Sequence, residues 1–138
     1  MNALTTICVV AAAVFFTGCA SPQTGDEASG LVTKIRNTDI QWDGNYFGLH
    51  PKPSGASQKL LTEPADKVVP ALMEALKDEN RFVAAHVVLS EITASTKQGD
   101  AASWNGLRVN LLPNGQAVVP GGQQSVLIQQ WADWRSKK

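Results

Sequence analysis

Two stretches of apolar residues at helical spacing follow each other in the middle of the chain, and they constrain the fold more than any other feature. Apolar side chains recur every three or four residues on both sides of the polar segment 78–80, which predicts two amphipathic helices joined by a turn. The stripes are Val69, Leu72, Met73 and Leu76 in the first helix, and Phe82, Ala85, His86, Leu89 and Ile92 in the second. Thr62 and Asn80 are the expected N-caps. Pro64 suits the first turn, whereas Pro70 removes a backbone donor and predicts a bend.

Because the turn is short, the two helices are expected to pack antiparallel. The pair resembles a HEAT repeat, whose first helix typically reads A-V-P-x-L-x-x-x-L-x-D and whose second ends in A-L-x-x-I. The matching residues are Val69, Pro70, Leu72, Leu76, Asp78, Leu89 and Ile92. Phe82 stands where the family usually has an arginine. The resemblance covers about a quarter of the chain and implies an interaction scaffold without chemistry of its own.

A single unit of this kind cannot cover its own apolar face, since such repeats usually need at least about three copies. The sequence contains no second copy, so the C-terminal third must supply the cover. Residues 104–119 predict a β-hairpin with Asn114-Gly115 as a two-residue turn. One face of this hairpin is expected to carry Leu107, Val109, Leu111 and Val118. After Gly121-Gly122, residues 123–138 predict a helix with an apolar side, formed by Gln124, Leu127, Trp131 and Trp134.

The expected fold class is therefore mainly α within α+β. It consists of a HEAT-like antiparallel helical hairpin closed by a short β-hairpin and by a C-terminal helix that carries Trp131 and Trp134. Because burying one large side chain contributes about 1.5 to 3 kcal/mol, these two tryptophans are expected to be important for stability.

The segment before the helical pair is ambiguous. Residues 31–35, LVTKI, alternate as a strand would, and residues 40–48, IQWDGNYFG, carry an Asp-Gly turn between aromatic side chains. Residues 50–57, HPKPSGAS, predict an irregular connector because they contain two prolines and a glycine. Trp42, Tyr46 and Phe47 could form an exposed stacking platform, or they could pack against the helical pair. Packing is favoured, because large aromatic side chains are usually buried.

The N-terminal residues are typical of an export signal. Residues 7–16, ICVVAAAVFF, form an apolar run that is too short to span a membrane but suits a signal-peptide core. The run ends in Phe16-Thr17-Gly18-Cys19, which resembles the lipobox of bacterial lipoproteins. This resemblance implies cleavage before Cys19, acylation of its thiol and new amine, and stable anchoring by two or three acyl chains. Ala20, in place of Asp, is similar to an outer-membrane sorting signal.

The other interpretation is that Cys19 lies in an ordinary secretory signal, where it either pairs with Cys8 or is simply lost. Cys8 lies in the apolar run and would be removed with it, so the mature chain would hold no second thiol. Acylation is therefore the favoured use of Cys19. The chain then divides into a signal peptide at 1–18, a flexible tether at 19–30 and a single small HEAT-like domain at 31–138.

The sequence lacks the patterns that carry known chemistry. Twelve basic and twelve acidic residues cancel, so no field favours nucleic acid. The motifs HExxH, CxxC, GxSxG and GxxxxGK do not occur. His50 is expected in a solvated loop, and His86 is expected to be a hydrogen-bonded core histidine. We therefore predict no enzymatic activity, no cofactor and no metal site.

Taken together, these patterns predict a lipid-anchored protein of the cell envelope, at the outer membrane and facing the periplasm. Its role is expected to be that of a non-catalytic protein-interaction or scaffold module with an envelope protein as partner. Cys19 is the lipid attachment site, and the candidate interaction residues are Trp42, Tyr46, Phe47 and Phe82. The alternative is a carbohydrate or peptidoglycan binding module that uses exposed tryptophans. A degraded enzyme subunit is a third hypothesis.

Overall fold

The computed structural model describes residues 24–95 and 102–138, and Cys19 lies outside them. The described residues form a mixed α+β domain, within which no repeat is identified. Its helices are α1 (Thr24–Lys34), α2 (Gly55–Leu60), α3 (Ala65–Ala75), α4 (Phe82–Ile92) and α5 (Gln124–Ser136), with a short 3-10 helix at Asn37–Asp39. Its strands are β1 (Ile40–Asn45), β2 (Gly48–Pro53), β3 (Ser103–Trp104), β4 (Leu107–Arg108), β5 (Asn110–Leu111) and β6 (Ala117–Val118). They pair as three antiparallel hairpins: β1 with β2, β3 with β4, and β5 with β6.

Helix α4 is the centre of the core. Its sequence, FVAAHVVLSEI, is mostly apolar, with Glu91 as its exposed charged residue, and residues 83–90 are all buried. A helix of this composition must be covered all round, and it contacts α2, α3 and the β1–β2 hairpin. The second predicted helix is confirmed, and Ala85, His86 and Leu89 of its predicted stripe are buried, but burial extends beyond one side of the helix. Phe82 and Ile92, two members of that stripe, are only half-buried.

Helix α3 confirms the first predicted helix. Of its predicted stripe, Leu72 is buried within the helix and Leu76 just beyond its end, whereas Val69 and Met73 are half-buried. Val68 and Ala75 are buried in addition. Pro64, rather than the predicted Thr62, occupies the N-cap position.

The turn between α3 and α4 is stabilised by side chains rather than by the predicted N-cap. Asn80 does not cap α4, because the N-cap position belongs to Arg81. The cap comes from outside the helix: Asn37 Oδ1 accepts the N–H of Val83 at 2.9 Å. Asp78 accepts hydrogen bonds from the Asn80 N–H and from Arg81 Nε, both at 2.8 Å. These bonds hold the pKa of Asp78 below its usual value.

Helix α1 occupies sequence that was predicted to be partly tether and partly strand. Residues 24–30 are helical rather than part of a flexible tether, and residues 31–34 are helical rather than strand-like. Ala28, Val32 and Ile35 are buried at a spacing of four and three residues, so one side of α1 packs on the core. Helices α2 and α3 provide the surface against which it packs. The alternation within LVTKI is too short to outweigh that burial.

The predicted irregular connector at 50–57 is also wrong. Its first half completes β2, and its second half begins α2. The prolines of β2 are tolerated because this strand is at the edge of its sheet. The predicted Asp-Gly turn lies inside β1, and the hairpin turns instead at Tyr46 and Phe47, between the paired residues Asn45 and Gly48.

The C-terminal third contains two small hairpins where one was predicted. Asn105-Gly106 connects β3 to β4 with φ values of +48° and +89°, which matches the preferred two-residue turn. Asn114-Gly115 instead lies in a longer loop between β5 and β6. Because two hairpins replace the single predicted one, the four residues that were expected to share one hairpin face do not share one environment. Leu107 and Val109 are buried, whereas Leu111 and Val118 are exposed.

Helix α5 confirms the last predicted helix and its apolar side. Leu127 and Trp131 are buried, and Gln124 and Trp134 are half-buried. None of the described helices has the length and apolar character needed to cross a membrane.

Candidate functional site

A groove of about 850 Å³ lies between β1 and the C-terminal segment. Strand β1 lines one side with residues 40–43, and residues from 115 to 124 line the other. Phe82 and Val83, at the start of α4, contribute apolar surface, and Asn37 and Thr38 contribute polar surface. The fold thus assembles the groove from three segments that are distant in sequence.

The structure separates the four predicted interaction residues into two groups. Trp42 and Phe82 both line the groove. Tyr46 and Phe47 lie at the tip of the β1–β2 hairpin and are 107% and 90% exposed. The prediction that these aromatic side chains are packed is confirmed for Trp42 and wrong for Tyr46 and Phe47, because the hairpin places them in its turn rather than on its core-facing side.

The hydrogen-bond register of the hairpin determines which backbone groups of β1 are free. Ser54 donates its N–H to the carbonyl of Asp39 at 2.9 Å, directly before the register begins at Ile40↔Pro53. Hydrogen-bonded and non-hydrogen-bonded pairs alternate along an antiparallel ladder. Trp42 opposite Pro51 therefore belongs to the non-hydrogen-bonded set, as does Gly44. Their N–H and C=O groups point away from β2, on the outer side of the strand.

The two edges of this small sheet differ in their capacity to pair with another strand. Pro51 and Pro53 face the outer edge of β2, where they provide no N–H to an incoming strand. Strand β1 contains no proline, and four consecutive residues of it, 40–43, line the groove. The groove therefore combines an apolar surface with a strand edge that is competent to pair.

The charged side chains that line the groove are all acidic. Asp43 and Glu79 line it, and the lining set contains no lysine or arginine. Asp43 forms an ion pair with Lys52, and both side chains are largely exposed. Exposed pairs of this kind are weak, so the groove remains suited to a neutral or basic ligand.

Asn37 holds the wall of the groove together. Its side-chain nitrogen donates to the carbonyl of Glu79 at 2.7 Å, and its backbone N–H donates to the carbonyl of Asn80 at 2.8 Å. Together with the cap on Val83, these bonds attach the chain before β1 to the start of α4. Sequence reasoning missed this residue, because no local pattern marks a contact between positions so far apart.

The four tryptophans form a packed row with His86 rather than an open platform. Neighbouring ring centroids are 6.1 Å apart for Trp42 and Trp104, and 5.8 Å apart for Trp104 and His86. The row continues at 6.0 Å to Trp131 and at 5.4 Å to Trp134. All interplanar angles lie between 69° and 84°, which is the edge-to-face geometry of core aromatics. This geometry does not offer the coplanar exposed indoles that a sugar ring would stack on.

His86 is the core histidine that the sequence predicted. It is fully buried, and Trp131 Nε1 donates a hydrogen bond to its Nδ1 at 2.9 Å. Burial lowers the pKa of His86 to about 4, against a smaller opposite effect of the Trp104 and Asn105 backbone. The ring is therefore neutral near pH 7 and forms part of the core.

Within residues 24–95 and 102–138, no group of three or more His, Cys, Asp or Glu side chains is arranged to hold a metal ion. Family models, curated protein sequences and solved structures were compared with the chain, and none of them matches. The groove and the hairpin tip are therefore the features from which a function can be argued.

Proposed function

We propose that this chain is a lipid-anchored protein of the cell envelope whose domain is a non-catalytic protein-interaction module. The observation that carries the interaction role is the groove beside the free edge of β1. The resemblance of Phe16-Thr17-Gly18-Cys19 to a lipobox supports the anchor, with acylation at Cys19, and Ala20 supports an outer-membrane location facing the periplasm.

The packing of α3 against α4 supports a HEAT-like arrangement of these two helices. Residues 83–90 of α4 are buried within the domain, so this helix offers little surface on which a second repeat could stack. Binding through stacked repeats is therefore less favoured than binding in the groove.

The binding mode that we propose is strand addition. An extended partner segment would pair with the outward N–H and C=O of Trp42, and its side chains would contact Phe82. Main-chain pairing of this kind provides affinity, and the pockets beside it provide specificity. Because Asp43 and Glu79 are the charged residues of the lining, the partner segment is expected to carry Lys or Arg.

The carbohydrate alternative receives less support from the geometry. Trp42, the tryptophan in the groove, is only 9% exposed, so little of its face is available for stacking. The amide of Gln123, a polar group that could bind a hydroxyl, is already used, since its Nε2 donates to the carbonyls of Arg108 and Pro120.

Site-specific cross-linking in cells tests the proposal. A photoreactive residue replaces Gln41 in the full-length protein, and the matched control carries it at Gln58, an exposed glutamine on α2 outside the lining set. We expect a discrete adduct from position 41 and none from position 58. Mass spectrometry should locate the adduct in an extended, basic segment of an envelope protein. Equal labelling at both positions, or none at 41, would contradict the proposal.

Charge reversal tests the polarity of the groove. Glu79→Lys is expected to reduce the adduct from position 41 several-fold, because it places a cation beside a basic ligand. Glu91→Lys, at an exposed glutamate outside the lining set, is the control and should leave the adduct unchanged. Intact-mass analysis of the purified protein tests the anchor separately, since acylation of Cys19 adds the mass of its acyl chains.

A further inference from the structure

The tip of the β1–β2 hairpin exposes two aromatic side chains that its folding does not require. Tyr46 and Phe47 occupy the turn, but the turn is formed by their neighbours. Asn45 Oδ1 accepts the N–H of Phe47 at 2.8 Å, and Gly48 adopts a φ of +116°. Small polar residues usually fill such positions, so two fully exposed aromatics indicate a contact outside the domain.

A second exposed apolar segment reaches the same hairpin at Gly44. A Cβ added to Gly44 would lie 2.8 Å from Leu111 Cδ1, so β1 is in contact with β5 close to the hairpin tip. Leu111 and the next residue, Leu112, are 37% and 41% exposed. We define the tip patch as Tyr46, Phe47, Leu111 and Leu112.

The tip patch lies in sequence without charge. Residues 44–49 and residues 109–132 contain no Asp, Glu, Lys or Arg. The four side chains of the tip patch therefore carry no charge that would lose its hydration at an apolar medium, and the loss of charged hydration is the costly step in such transfers. The charged residues next along the chain are Asp43 and Arg108.

The chain between the anchor and the domain is short. Cys19 precedes Thr24, the first residue of α1, by five positions, and five residues span at most about 18 Å when fully extended. Helix α1 is fixed to the core by the buried Ala28 and Val32. An acylated Cys19 therefore keeps the domain close to the bilayer surface and raises the effective concentration of lipid around it.

We propose that the tip patch binds the membrane that carries the anchor, with Tyr46 and Phe47 inserted at the level of the lipid head groups. This inference rests on the proposed acylation of Cys19. Aromatic side chains with an apolar body, such as tyrosine, are enriched at this level of a bilayer. The lipid on Cys19 and the aromatic tip then form two attachment points, which orient the domain and its groove relative to the membrane.

The test uses full-length acylated protein, checked by intact mass, in vesicles of phosphatidylethanolamine and phosphatidylglycerol. Phe47→Cys carries an environment-sensitive fluorophore, and Val126→Cys, at an apolar α5 residue that is 61% exposed, is the matched control. The label at position 47 is expected to lose accessibility to aqueous iodide by about threefold or more on reconstitution, as the label enters the interface. The label at position 126 should keep its accessibility.

A second variant tests the role of the aromatic side chains themselves. Tyr46→Ser combined with Phe47→Ser should leave the thermal unfolding unchanged, because Asn45 and Gly48 form the turn. A fluorophore on Leu112→Cys should be accessible to iodide in vesicles when the protein also carries the two serine substitutions. The same fluorophore should stay shielded when the protein carries the control substitution Val126→Ser instead.

Each result distinguishes this inference from the proposed function. A mass without acyl chains would overturn the anchor and the inference together. An acylated protein whose label at 47 is as accessible in vesicles as the label at 126 would overturn the inference alone. Shielding at 47 in isolated cell envelopes, but not in pure lipid vesicles, would assign the tip patch to a protein partner and would also overturn it.

Discussion

Trp131 donates its indole N–H to Nδ1 of His86 at 2.9 Å, and both side chains are buried. The bond requires Nδ1 to act as an acceptor, which is possible only while that nitrogen carries no proton. It joins α5 to α4 by a polar contact inside an apolar core. The C-terminal helix is thereby attached to the central helix in one defined orientation.

The first prediction concerns stability at acidic pH. The unfolded chain takes up a proton on His86 near pH 6.5, whereas in the folded protein the pKa of this residue is about 4. The unfolded state therefore binds more protons between these values, and the free energy of unfolding decreases as the pH falls through this window. The contribution reaches about 3 kcal/mol. Urea unfolding at a series of pH values measures it.

The control for this effect is a comparison of two variants. His86→Gln should lose the part of the pH dependence that lies between pH 6.5 and 4, while His50→Gln, at an exposed position, should retain it. Identical slopes for His86→Gln and the natural chain would show that this histidine does not control stability in that range.

The second prediction concerns the row of aromatic rings. Trp131→Phe removes the donor to His86 and leaves a smaller side chain in a fully buried site, so we expect a loss of about 2 kcal/mol in the free energy of unfolding. Trp134→Phe changes a half-buried ring and should cost less than about 1 kcal/mol. Chemical denaturation of both variants compares them, and equal losses would contradict the importance of the buried hydrogen bond.

The third prediction concerns two glycines with opposite roles. Gly106 has a φ of +89°, and an added Cβ would lie 2.5 Å from Gln130 Oε1, so Gly106→Ala should destabilise the protein by more than about 1 kcal/mol. Gly30 lies inside α1 with nothing within 4 Å of an added Cβ. Gly30→Ala should therefore stabilise it by about 0.5 to 1 kcal/mol. Melting temperatures that move in the same direction would refute this assignment.

The fourth prediction concerns the wall of the groove. Asn37→Ala removes the cap on Val83 and the bond to the Glu79 carbonyl, and we expect a cost of about 1 to 2 kcal/mol. Asn110→Ala, at an exposed asparagine, should have little effect. Hydrogen exchange at the first turn of α4 should accelerate in the first variant only. Unchanged exchange there would mean that Asn37 does not hold the start of the helix.

Periodicity alone was sufficient for helices whose burial pattern is local. The residues that form α3, α4 and α5 repeat at helical spacing, and Leu72, Leu89 and Trp131 are buried as predicted. His86 could also be assigned to the core, because it lies among apolar residues. In these segments the local helical pattern places apolar side chains where the tertiary structure buries them.

The predictions from sequence were wrong where a segment could form either of two local structures and tertiary contacts decided between them. Residues 31–34 alternate like a strand, but the surface of α2 and α3 favours a helix with Val32 buried. Asn105-Gly106 and Asn114-Gly115 are the same dipeptide, yet only the first forms a two-residue turn. The side chain of Asn105 donates to Ser90 Oγ at 2.6 Å inside the core, which selects the turn at that position.

The sequence by itself determined three of the helices, α3, α4 and α5, and the core position of His86, because each of these depends on residues that are close together in the chain. The lipid attachment at Cys19 also comes from such a local pattern and stays a prediction. Only the tertiary structure decided that Trp42 and Phe82 share a groove while Tyr46 and Phe47 project from a hairpin tip. That division depends on strand register and on contacts between distant segments, and such contacts leave no local pattern in the sequence.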